Sequence, residues 1–245
     1  MHLDIATAAE RPDRRPLWSD LAGLWPRFMT HDETSDFFYG YEFDHYPQFQ
    51  LLAVDTDTGE AVAKAYSVPL SFTGTIADGL PEHGWDWAVR QATHDRLRGT
   101  TPTIVSALEI MVRPDLRGRG LSARMLAAMR TNAAAHGFTD LIAPVRPTGA
   151  QGKPIDTYAY ARRPDGLPVD PWLRVHVRAG GQIVNVAHAS MVMVGTLADW
   201  RGWTGLPFDT SGPVIVPEAL APVHCDVAGD QAVYVEPNVW VQHRL

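Results

Sequence analysis

Residues 103–112, TIVSALEIMV, constrain the fold more than any other part of the chain. They form a nearly continuous apolar run, which suits a β-strand covered on both faces. Arg113-Pro114 ends the run, because proline has no N–H to give to a ladder. From Gly118 a helical pattern follows, with Leu121, Met125 and Met129 at i, i+4 and i+8 and Gly137 as its stop. Asp140 to Val145 then resumes strand character. Strand, glycine-containing turn, helix and strand in that order make an α/β unit.

The remaining elements are read around that unit. Residues 50–54 and 61–70 are expected as two strands joined by a turn at 55–59, and 183–194 and 232–242 as later strands. Residues 85–97 read as a helix closed by Gly99. A second helix is punctuated by Asp170 as N-cap, Pro171 at the first position and Gly180 after its end. On it Trp172, Val175, His176 and Ala179 share one face. Residues 17–43 look helical in pieces and lead into an acidic, aromatic stretch at 32–46, with Asp32, Glu33 and Asp36 at its start. A length of 245 residues then suits one enlarged domain, with a core over about 17–195 and an extension, 196–245, that completes the sheet or the pocket.

Charge and cysteine content exclude several function classes. Lys plus Arg number 21 against 28 Asp plus Glu, a formal charge of −7, so the chain does not advertise the basic face that a nucleic-acid partner needs. A net negative field instead draws small cationic ligands such as amines. The single cysteine, Cys225, rules out an internal disulfide and a multi-thiolate zinc site; it reads as a small buried hydrophobe, and no metal is expected. No stretch approaches the roughly 20 apolar residues of a membrane helix. With no apolar leader at the start either, the cytoplasm is the expected compartment.

The turn after the apolar strand reads Val112-Arg113-Pro114-Asp115-Leu116-Arg117-Gly118-Arg119-Gly120-Leu121-Ser122. Two glycines at a helix start gather backbone N–H groups that have no intrahelical partner, and Arg117 and Arg119 add positive charge. That combination favours a phosphate-bearing ligand; a tight turn with solvated arginines is the plainer reading. It is neither a Walker A loop, lacking the Lys-Ser/Thr pair, nor a dinucleotide fingerprint, lacking the third glycine.

The whole segment resembles the acetyl-CoA-binding motif of the GNAT superfamily of N-acetyltransferases, in which Val-x-Pro leads to Arg-x-x-Gly-x-Gly/Ala and a helix. Val112, Pro114, Arg117 and Gly120 stand in register, and Ser122 takes the last small position. The resemblance implies a mixed α/β fold, with a mostly antiparallel central sheet flanked by helices and enlarged here by inserts. It implies acetyl-CoA as acyl donor. The main chain of Ile110, Met111 and Val112 would pair with the pantetheine amides. The N–H groups of Arg117, Gly118, Arg119, Gly120, Leu121 and Ser122 would surround the pyrophosphate.

The resemblance also points to the chemistry, direct transfer of acetyl to the amine of a small molecule. Counting back from Gly180 to the family's usual tyrosine acid lands on His176, and the usual Phe after that glycine is Gly181. His176 is thus expected to protonate the leaving thiolate, or else to be a hydrogen-bonded core histidine. Glu109, the only carboxylate of the strand, is either a base or substrate-orienting group, or the partner of an arginine such as Arg146. Carboxylates with aromatic faces suit a cationic amine, so the acceptor wall is expected at Asp32, Glu33 and Asp36, with inserts 72–102 and 147–170 as further walls. A solvated acidic helix face is the other reading. A non-catalytic acyl-CoA sensor, or an acetyltransferase of protein or aminoacyl-tRNA amines, are the alternatives, and a homodimer is left open.

Overall fold

The computed structural model describes residues 2–245. Its frame is one nine-stranded sheet: β1 (Leu3–Thr7), β2 (Gln50–Asp55), β3 (Ala61–Leu70), β4 (Ile104–Val112), β5 (Asp140–Val145), β6 (Gln182–Gly195), β7 (Gly212–Val214), β8 (Val223–Asp226) and β9 (Gln231–Arg244). The order is β1-β2-β3-β4-β5-β9-β8-β7, with β6 also pairing β9. Only β4 and β5 run parallel; every other pair is antiparallel. The expected mixed, mostly antiparallel sheet flanked by helices is the architecture observed.

The helices are α1 (Glu33–Phe37), α2 (Gly84–Arg98), α3 (Leu121–Ala135), α4 (Ile155–Tyr158), α5 (Pro171–Arg178) and α6 (Leu197–Thr204). The α3 helix buries Leu121, Met125, Leu126, Met129 and Ala133 against β2 to β5, which is the stripe that its spacing predicts. The α2 helix covers β3 and β6 with Trp85, Ala88, Val89 and Ala92. Residues 12–31 are mostly 3₁₀ turns rather than α-helix, because Pro12, Pro16 and Pro26 interrupt any longer run. Among the described residues no helix is long and apolar enough to cross a membrane.

Two irregularities of β4 give the sheet an opening. The strand pairs β5 only through Val105–Leu141 and Ser106–Ile142, while β3 accompanies it as far as Val112. From Ala107 onward the β5-facing edge of β4 is therefore unpaired, and β5 turns away to pair β9. In addition, Tyr66 faces Glu109 while Ser67 faces Ala107, so Leu108 is an extra residue, a bulge. The Leu108 carbonyl, lost to the ladder, accepts from Trp85 Nε1 at 3.0 Å.

Candidate active site

Where β4 and β5 part, a cleft opens, walled by Ala107 to Ile110 on one side and Ala143 to Arg146 on the other, with Trp172 and His176 of α5. A second cleft lies beside it, walled by Trp25, Ser35, Asp36, Tyr39 and Lys64 among others. Four residues line both: Trp25, Trp85, Glu109 and Met191. The two clefts thus meet at one carboxylate.

Glu109 is buried and held on several sides. Its Oε2 accepts from Trp25 Nε1 at 2.6 Å and from Tyr39 OH at 2.7 Å. Its Oε1 lies 3.4 Å from Lys64 Nζ and has no hydrogen-bond partner. Lys64 stands opposite Met111 in the ladder, so the Lys64–Glu109 pair is a cross-strand diagonal. Burial, and the carboxylate beside it, push the Tyr39 hydroxyl well above its ordinary pKa, so Tyr39 remains a donor. Arg146, the partner that the sequence suggests for Glu109, instead clasps Glu236 through Nε at 2.9 and 3.0 Å. Glu109's cation is Lys64.

His176 lines the first cleft from α5, where Asp170 caps the helix by accepting from Trp172 and Leu173 N–H groups. It is buried, and its Nδ1 lies 2.9 Å from His243 Nε2. Burial, then the neighbouring ring, lower its pKa to about 3. At pH 7 the lowered pKa leaves the ring neutral, with an N–H but no imidazolium proton. What it can offer a departing sulfur is a fixed N–H.

The acidic stretch divides by function. Asp36 lines the second cleft. Asp32 does not; it is 1% exposed and caps α1 by accepting from Ser35 N–H at 2.8 Å. Glu33 is exposed and lines neither cleft, and Glu42 and Asp44 are taken by Arg96 and Arg15. Of the expected inserts, 72–102 contributes Trp85, whereas 147–170 lines neither cleft. From the C-terminal part, Glu236 and Asn238 reach the first one.

Asp32 and Asp86 are both buried, and the charge of Asp32 acts on Asp86. Burial raises Asp86 to about 7, with Asp32 adding repulsion against Arg90's attraction, and burial raises Asp32 to about 6. The folded chain therefore holds protons that the unfolded chain has released by about pH 4. Stability from this pair is present below that pH and is lost as pH rises towards 7. Asp86→Asn should accordingly raise stability at pH 8 by roughly 2 kcal/mol, with the gain fading towards pH 4, at 1.4 kcal/mol per pKa unit less the lost Arg90 contact. Urea midpoints at the two pH values check it; an equal effect at both would refute the raised pKa.

The proposed phosphate turn keeps the geometry that anions need. Gly118 and Gly120 have φ of 79° and 78°, and Gly120 caps α3 without any side-chain hydrogen bond. Arg117 and Arg119 are exposed, and Ser122 is half-buried. A Cβ built on Gly120 meets nothing within 4 Å, so the turn is open on that side. An open β4 edge leading to such a turn fits the amide-rich arm and pyrophosphate of CoA. No group of three or more metal-ligating side chains occurs among the described residues.

A parted parallel strand pair and a glycine turn at a helix start are the features that the resemblance at 112–122 implies for an acyl-CoA-dependent acyltransferase. No protein-family model matches the chain. A curated relative, the arginine N-acetyltransferase avaD of Aspergillus versicolor, is 31% identical over 274 aligned positions, covering 98% of this chain and 93% of its own. The loading GNATL domain of CurA from Lyngbya majuscula shares the fold at a TM-score of 0.61 with 16% identity, over 100% of this chain and 98% of that one. The GphF GNAT-like decarboxylase in complex with isobutyryl-CoA does so at 0.55 and 16%, over 100% and 99%. The chain belongs to the GNAT superfamily of N-acetyltransferases, as the motif from Val112 to Ser122 implies.

Of the residues that line the clefts, Tyr39 and Trp85 fall within the expected walls 32–46 and 72–102, whereas local sequence pattern does not single out Trp25, Lys64 and Met191. Lys64 carries a signal, a lone charge inside the apolar strand AVAKAYSVPL. Trp25 carries none, since its spacing also suits a buried helix face.

Proposed function

We propose that the chain transfers acetyl from acetyl-CoA directly to a nitrogen of a small cationic amine, of the class that arginine represents, in the cytoplasm. The observation that carries this reading is the Glu109 carboxylate shared by two clefts, one suited to an acyl arm and one to an amine. Acetyl-CoA supplies an activated acyl thioester. The main chain of Ile110, Met111 and Val112 and the turn at 117–122 would hold it. In the second cleft Asp36 and the rings of Trp25 and Tyr39 hold a cation, as carboxylates and aromatic faces do. Glu109, 3.4 Å from Lys64, takes one proton from the uncharged attacking nitrogen of that molecule through Oε1 as the N–C bond forms and the C–S bond breaks. The electron pair leaves on sulfur, and the His176 N–H steadies that charge.

A turnover assay with acetyl-CoA and a panel of arginine, agmatine, a polyamine and neutral amines tests the class. Cationic amines should be acetylated; turnover of neutral amines alone would overturn it. Asp36→Asn should raise the amine KM about tenfold and leave that of acetyl-CoA unchanged, for one charge contact of ~1.4 kcal/mol. Asp32→Ala should leave the amine KM unchanged and lower the melting temperature instead, through the lost helix cap.

A further inference from the structure

His243 lines neither cleft, yet its ring is hydrogen-bonded to that of His176. It stands on β9 opposite Leu141, fully buried. Both rings are neutral at pH 7, because burial lowers His176 to about 3 and His243 to about 4. Two neutral imidazoles in contact share one N–H. Either His243 donates and His176 keeps its own proton on Nε2, or His176 donates from Nδ1 and its Nε2 is bare. Only the first arrangement gives the donor cleft an N–H.

Arg130 decides between them. From α3 its guanidinium donates to the carbonyls of Ala179 and Arg244, at 2.7 and 3.2 Å, which sets it between the end of α5 and the residue after His243. Its charge acts on His243, and both Arg130 Nε and His243 Nδ1 are buried without a hydrogen-bond partner. A guanidinium disfavours a second N–H dipole in its field and favours a bare ring nitrogen. With Nδ1 bare, the proton of His243 is on Nε2, and it donates to His176. The site is also shaped for this ring: a Cβ on Gly181 would lie 2.7 Å from His243 Cε1 and 2.8 Å from the His176 carbonyl oxygen. Glycine at 181 leaves the room that His243 fills.

We propose that His243, set by Arg130, is a positioning residue that fixes His176 in the tautomer with its proton on Nε2, presented to the acyl-donor cleft. The proposal rests on the reading that His176 serves the donor. Nitrogen-15 NMR of the full chain at pH 7.5 reads the tautomer without any turnover. A bare Nδ1 and protonated Nε2 on His176 are expected; a proton on Nδ1 overturns the proposal. In kinetics, His243→Leu should lower kcat about 10- to 100-fold, less than removal of a direct donor, with both KM values unchanged. His243→Gln, which keeps an N–H, should recover most of that loss. If the leucine variant does not fold, Gly181→Ala displaces the ring and should lower kcat in the same direction. Parent-like kcat in the displaced-ring variants, or a glutamine variant as slow as leucine at equal melting temperature, overturns it. His176→Leu with normal kcat would instead sink the underlying donor role while leaving the NMR result as it stands.

Discussion

Glu109→Gln should lower kcat about a thousandfold, some 4 kcal/mol at the barrier, with acetyl-CoA affinity unchanged. Glutamine keeps the length of the side chain and an acceptor oxygen for Trp25 Nε1 and Tyr39 OH, which bind Oε2 at 2.6 and 2.7 Å. What it loses is the basic Oε1, the oxygen without a hydrogen-bond partner. Lys64, 3.4 Å away, then becomes a buried cation without its carboxylate, so some loss of stability accompanies the loss of rate. The double variant Glu109→Gln with Lys64→Met removes both charges and separates the two effects. It should regain melting temperature and remain slow. A slow step that recovered together with stability would mean that Glu109 only holds the fold. Parent-like kcat in a folded Glu109→Gln chain would end the base assignment.

Local patterns make the frame legible, and long-range pairing makes the site. The segments Ala61–Leu70 and Asp140–Val145 fall where periodicity puts them, and α5 begins after Asp170 because cap and proline are adjacent in sequence. The turn at 117–122 that we propose for the acyl donor is legible for the same reason, since its whole motif is contiguous. By contrast, β1 is not: LDIAT is short, edge-placed and half polar, so its alternation is too brief to separate from a loop. The α6 helix escapes notice although Thr196 and Asp199 form a capping box, because Leu197 stands where α5 has the proline that marks its first position. The contacts around Glu109 join residues 84 and 70 positions apart in sequence, and no local rule reaches that far. The carboxylate of Asp32 shows the opposite error. Composition puts it on an acceptor wall, but it lies immediately before a helix, where capping uses the same chemistry.

Gly120→Val should weaken acetyl-CoA binding about a hundredfold while leaving a folded protein. Two separate costs lead there. Gly120 has a φ of 78°, and a β-branched residue in that region carries strain of about 1–3 kcal/mol. That cost falls on stability, unless the turn relaxes to a negative φ; relaxation would aim the N–H groups of Leu121 and Ser122 away from a common point. The second cost falls on the ligand alone. A Cβ at this position meets no protein atom within 4 Å, so the valine methyls do not clash inside the chain. They occupy instead the open side of the turn, where phosphate oxygens would have to approach the free amides. Gly120→Ala isolates the first cost, since it adds strain with a single methyl, and should fall between valine and the parent in affinity. Calorimetric titration of acetyl-CoA into the three chains, with melting temperatures on the same samples, gives the comparison. Affinity that followed melting temperature alone would place the effect in backbone strain, and unchanged affinity in the valine chain would remove this turn from the acyl-CoA site.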